Sequence, residues 1–118
     1  MANELTILVS MAFSKGGASV SRAESIQVTV TGDAFSHEVQ EVGTSEEQLA
    51  QGADLGTPGY MLIKNLDGTN YVEVGSTTGV YDIKLKAGEV ALYRHNSATV
   101  YAKANTAVCL VEYMLIEA

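Results

Sequence analysis

Residues Gly59–Arg94 read GYMLIKNLDGTNYVEVG (59–75), STTG (76–79) and VYDIKLKAGEVALYR (80–94), and their alternation decides the fold. Tyr81, Ile83 and Leu85 interleave with Asp82, Lys84 and Lys86, so one set of side chains faces a core while its neighbours face water. That period of two belongs to a strand, because a helix repeats its apolar face every three to four residues. Asp67-Gly68 predicts a tight turn that folds Tyr71–Val74 back onto Tyr60–Leu66. Lys86-Ala87-Gly88-Glu89 predicts a second turn, joining Val80–Lys86 to Val90–Arg94 as another hairpin. Asp67, Gly68 and Gly88 are therefore the candidate structural turn residues.

The pattern extends in both directions. Between Glu4 and Ser14, Leu5, Ile7, Val9, Met11 and Phe13 point one way, and Thr6, Leu8, Ser10 and Ala12 the other, which predicts a long first strand broken at Lys15-Gly16-Gly17. Ser25–Thr31 predicts a half-exposed second strand. Phe35–Val42 predicts a third, largely polar on both faces and so expected at a sheet edge. Thr44-Ser45-Glu46-Glu47 matches a capping box and predicts a single helical turn through Leu49. Gln51–Gly59 reads as loop, Val100–Lys103 as a short strand, and Val108–Ile116 as the closing one. Eight or nine strands with at most one short helix describe an all-β, antiparallel fold at the spacing of a β-sandwich or jelly roll.

The closing strand is apolar on both faces. Cys109, Val111, Tyr113 and Leu115 fill one, and Val108, Leu110, Met114 and Ile116 fill the other apart from Glu112. Because a two-layer sheet normally wets one face, this strand is expected to be buried twice, under the acidic loop or against a neighbouring subunit. Val111, Tyr113 and Leu115 are the candidate subunit-interface residues.

The chain has 118 residues, the size of one domain, here taken as 1–118, and buries roughly 65% of its unfolded surface. No apolar run approaches the ~20 residues of a membrane span. The N-terminal MANELTILVSMAF has no basic region and carries Glu4 and Thr6, unlike a secretory leader, so synthesis in a reducing cytoplasm is expected. Cys109 is the sole cysteine, which excludes an intrachain disulfide and a thiolate metal site and reads as an inert core thiol. The net charge of −7 is uneven: Glu24–Pro58 holds seven acids and no Lys or Arg, while the remainder is neutral. Such a section repels phosphate backbones and anionic lipid, which argues against nucleic acid or membrane as a direct partner.

Reactive constellations are not legible. His37 and His95 lie on different predicted strands without metal-ligand spacing, no serine sits in a nucleophile elbow, and no pair of carboxylates is singled out. Asn65, Asp67, Thr69 and Asn70 would suit calcium, yet a turn demands the same residue types. Six tyrosines would suit sugar stacking, yet all fall within predicted strands. The residues thus point to a protein that binds or builds, with no catalytic residue, cofactor or metal.

The segments GYMLIKNLDGTNYVEVG, IKLKAGEVALYR and YAKANTAVCLVEYMLIEA resemble the hairpin, turn and terminal strand of small structural proteins of tailed bacteriophages, over Gly59–Ala118. The resemblance implies a jelly-roll or related β-sandwich, no enzymatic activity, and frequent assembly as a trimer. Within that class it favours a capsid decoration (cement) protein on the virion exterior, made in the host bacterial cytoplasm, whose partners are sister subunits and the major capsid protein. The alternative it implies is a tail, neck or head-fibre component that binds a host-surface protein or glycan.

Overall fold

The computed structural model describes residues 3–118. All regular structure among them is antiparallel β, in ten strands: β1 (Leu5–Lys15), β2 (Ala18–Val28), β3 (Phe35–Val42), β4 (Glu47–Gln48), β5 (Pro58–Asn65), β6 (Val72–Gly75), β7 (Ile83–Leu85), β8 (Val90–Arg94), β9 (Tyr101–Ala104) and β10 (Cys109–Glu117). Where the sequence suggests one domain, the chain divides into two compact units, Met1–Thr31 and Gly32–Ala118.

The first unit is a two-stranded ribbon. β1 and β2 pair in unbroken register from Leu5↔Val28 to Lys15↔Ala18. The two-residue loop between them is Gly16-Gly17, with φ of 59° and 87°, the left-handed pair that matches the twist of the flanking strands. Two side chains close the open end: the Glu4 carboxylate accepts the Val30 amide at 2.9 Å, and Thr29 Oγ1 accepts that of Asn3 at 3.3 Å. β2 is longer than its sequence pattern suggests, because Ala18–Glu24 has little apolar alternation of its own and is recruited by register against β1.

In the second unit, β3-β10-β5-β8 form one sheet and β4-β9-β6-β7 the other. Their inner faces share one core: Met61, Ile63, Val111, Tyr113, Leu115 and Val42 from the first, and Val72, Val74, Leu85 and Ala102 from the second, with Leu49 and Val100 beside them. β3 lies at an edge, as its polarity predicts. The two expected hairpins are not formed. β5 pairs with β10 and β8, whereas β6 pairs with β9 and β7, so the chain changes sheet at both turns.

Asn65 explains the change. Its side chain is wholly buried, donates from Nδ2 to the Asn70 and Leu85 carbonyls at 2.9 and 3.0 Å, and accepts the Asp67 amide at 2.9 Å. Its backbone amide donates to Glu89 O, and its carbonyl accepts from the Gly88 amide, so the second turn is held by the same residue. The Asp67 carboxylate accepts the Thr69 and Asn70 amides, which confirms a turn there, although Gly68 has no left-handed φ. Gly88 does, at 78°, and the Glu89 amide closes that turn on Lys86 O.

No helix forms at Thr44–Leu49. Glu47 and Gln48 pair with Ala102 and Tyr101 of β9, and the Leu49 amide continues to Val100 O. Half of the capping signal survives, since the Glu47 carboxylate accepts the Gly43 amide at 3.0 Å, but burying Leu49 between the sheets outweighs one turn of helix.

Glu117 fastens the end of β10. Its carboxylate accepts the amides of Gly56 at 2.8 Å, Asp33 at 3.1 Å and Ala34 at 3.3 Å. These bonds, led by that of Gly56, hold its pKa below the ordinary value of 4.5. A group whose native pKa is depressed stabilises the fold above its unfolded pKa and loses that effect as pH falls through the native one. Glu117→Gln therefore lowers the melting temperature at neutral pH, because its amide turns a donor toward donors. The gap to the parent should close in thermal melts below about pH 4.5; a constant gap down to the acid limit would refute the assignment.

Candidate functional site

The chemistry-bearing residues are dispersed. Among the described residues no group of three or more His, Cys, Asp or Glu could hold a metal ion. The Asn65–Asn70 oxygens that suited calcium accept turn amides instead, and Asn70 Oδ1 accepts the Thr106 hydroxyl at 2.7 Å. Cys109 is wholly buried, and burial raises its pKa, as expected of an inert thiol.

His95, which the sequence leaves without metal-ligand spacing, is buried and donates from Nε2 to Thr99 O at 2.6 Å. It lines a recess of about 220 Å³ with Val74, Asp82, Ile83, Tyr93 and Asn96. The Tyr93 hydroxyl there points to Met61 Sδ at 3.5 Å, and burial pushes its pKa up to about 12. Ser76 also lines the recess, where His95 Nε2 is spent on the Thr99 carbonyl. The tyrosines are engaged as well: Lys84 Nζ stands 4.1 Å from the Tyr71 ring centre and the Arg94 guanidinium 4.6 Å from that of Tyr60. Tyr81 donates to Glu46, whose carboxylate also takes the Gly79 amide and pins the 77–81 loop. The Glu46 carboxylate raises the Tyr81 pKa to about 12.

What remains exposed is apolar. The first lies on the outer side of the β3-β10-β5-β8 sheet. Register places His37, Met114, Leu62 and Leu92 in one row, and Val39, Glu112, Lys64 and Val90 in the next. Phe35 is 66% exposed, Val39 and Val90 57%, and Leu110 46%. At the centre His37 Nε2 meets Glu112 Oε2 at 2.9 Å over a shallow trough of about 190 Å³ that includes Leu62, Lys64, Val90 and Met114. An antiparallel sheet that meets only water carries polar residues on such a face. This one exposes Phe35, Val39, Leu62, Val90 and Leu110 between its charged groups, more apolar side chains than a face turned only to water needs.

The second lies on the ribbon. Val9, Met11, Phe13, Val20 and Ile26 share one face, with Arg22 and Glu24 as a surface ion pair among them, and Met11 is 77% exposed. Only Ile7 is buried among the described ribbon residues. An isolated two-stranded ribbon is marginal in water without a third layer.

The candidate interface residues lie on the inner side of β10. Val111, Tyr113 and Leu115 are at most 1% exposed and packed in their own chain's core, so they offer no area to a second subunit. Tyr113 spends its hydroxyl on Ala50 O at 2.6 Å, and burial drives its pKa upward. The surface side of β10 is the one with Leu110, Glu112, Met114 and Ile116. Its signal is the doubled apolar pattern of the closing strand. The exposure of Phe35 and Val39 had no such signal, because β3 read as polar on both faces.

Leu115→Ala should destabilise the fold by about 3 kcal/mol, independent of protein concentration, by the cavity it leaves. Phe35→Ser, in dilute protein, should stay within about 0.5 kcal/mol of the parent. Urea denaturation at several concentrations checks both, and a small effect at Leu115 would contradict its place in the core.

No helix among the described residues is long and apolar enough to cross a membrane. No family model, curated protein or solved structure matches the chain.

Proposed function

We propose that the chain is a non-catalytic structural protein of a tailed bacteriophage virion, a capsid decoration protein built on a jelly roll. Strand order supports the fold. Counting β3 to β10 as first to eighth, one sheet runs first, eighth, third, sixth and the other second, seventh, fourth, fifth. That order supports a jelly-roll wrapping, an architecture shared by viral shell domains. The resemblance of residues 59–118 to phage structural proteins supports the source.

The observation that carries the function is the apolar outer face around Phe35, Val39, Leu62 and Val90 on an otherwise well-packed module. A module with a covered core and an open apolar face is built to be covered again, by sister subunits in a trimer and by the major capsid protein. Binding only the assembled shell shifts the equilibrium toward that shell by mass action, which needs no chemistry.

Antiserum against the recombinant chain, applied to phage particles purified from the producing lysate and viewed by immunogold microscopy, tests the reading. Gold over the heads in many copies per particle is the expected result. Gold confined to tails would move the chain to the host-binding adaptor class. Protein present in the lysate but missing from the particles would overturn a virion role.

A further inference from the structure

We propose that the Leu5–Val28 ribbon is an exchange arm: its apolar face packs on the outer face of the β3-β10-β5-β8 sheet of a second copy of the chain, and each copy both gives and receives one arm. The inference rests on the self-association in the function proposed above, and not on the virion location.

Three observations select a second copy as the occupant. The first is need. The ribbon extends Val9, Met11, Phe13 and Val20 into solvent, and the sheet exposes Phe35, Val39, Leu62 and Val90, so the single chain has one apolar ribbon face and one apolar sheet face open. Reciprocal exchange covers both with a single kind of contact, which closes as a two-fold pair when two copies swap arms or as a ring when the rotation between copies closes.

The second is charge. Glu4, Lys15, Arg22 and Glu24 are the ionic residues of the ribbon, which is therefore neutral. The outward-facing positions of the sheet carry Glu41, Glu112, Lys64 and Arg94, also neutral. The other charged residues are ten acids (Asp33, Glu38, Glu46, Glu47, Asp54, Asp67, Glu73, Asp82, Glu89 and Glu117) and three bases (Lys84, Lys86 and Lys103), which hold the entire −7. Two copies of an acidic protein repel each other everywhere except across these two faces. A basic partner, by contrast, would be drawn to the acidic remainder and away from the ribbon.

The third is area. From Leu8 to the turn the ribbon is about 25 Å long and, with its side chains, about 10 Å wide, so its footprint is roughly 250 Å². Giving one arm and receiving another covers about 500 Å² per chain in plan, in a pair or a ring alike, and a two-fold pair reaches about 1,000 Å², the lower bound for a specific interface. Side-chain relief raises the accessible area above that footprint. Each face also carries an exposed polar pair, Arg22 with Glu24 on the ribbon and His37 with Glu112 in the trough.

The test uses the full chain. Met11→Cys and Val39→Cys are made as separate variants, mixed, and treated with a short bismaleimide; Cys109 is wholly buried and stays silent. A cross-linked species pairing the two different variants, identified by peptide mass, is the expected result, and only contact between chains can produce it. Cross-linking confined to Met11→Cys with itself would overturn the proposal in favour of ribbon against ribbon. A doubly substituted chain that closes within itself, with no mixed product from the single variants, would overturn it in favour of an arm folded on its own sheet. Sedimentation velocity of the parent and of Met11→Asp with Phe13→Asp provides the second reading: the oligomer should be lost while far-ultraviolet circular dichroism persists. A parent that oligomerises without any mixed cross-link refutes arm exchange but leaves self-association standing, and a parent that stays monomeric refutes both.

Discussion

One buried carboxamide determines how the second unit is wired. Asn65 ends β5 inside the core, and every polar atom of its side chain is used: two carbonyls take its amide protons and one backbone amide takes its oxygen. An unpaired amide at that depth would cost about 1–3 kcal/mol, so the side chain enforces its partners as much as it is held by them. Those partners, together with its backbone bonds to Gly88 and Glu89, lie in the two loops that carry the chain from one sheet to the other and at the end of β7, which leads into the second. Without them the local sequence would favour two simple hairpins, which is how the pattern reads.

Elsewhere the packing is uneven. Residues 32–118 bury a continuous set of aliphatic side chains, and their polar tethers are short and specific: Glu46 and Glu117 collect backbone amides from distant segments and Glu47 that of the nearby Gly43. The carboxylates of this acidic chain thus serve as clamps for loops, not only as solubilising charge. The ribbon has no comparable support, and its register rests on the ladder of β1 with β2 and on two left-handed glycines. Its side chains are spent outward.

Strand positions were legible because alternation is a local property. Phe35–Val42 appears with its sequence boundaries, and β1 and β10 differ from theirs by a residue. Pairing was not legible, because the hydrogen bonds that choose a partner lie far apart in sequence: Cys109–Ile116 sits between segments 35–42 and 58–65. The helix expected at Thr44–Leu49 failed for the same reason, since a local capping signal competed with a ladder to β9. At β10, periodicity found two apolar faces, but nothing in the strand itself says which one its own chain covers. That choice is made by Met61, Ile63, Val72 and Val74, which fill the space over Val111 and Tyr113.

The Glu117 clamp also brings the two ends of the second unit side by side: Gly32 N donates to Ala118 O at 3.1 Å, and Asp33 and Ala34 share the same carboxylate. A short linker can join these points and new ends can be opened in the Gln51–Thr57 loop without breaking a strand pairing. The unit is therefore a natural cassette for circular permutation, and a peptide fused after Ala118 would emerge beside Gly32.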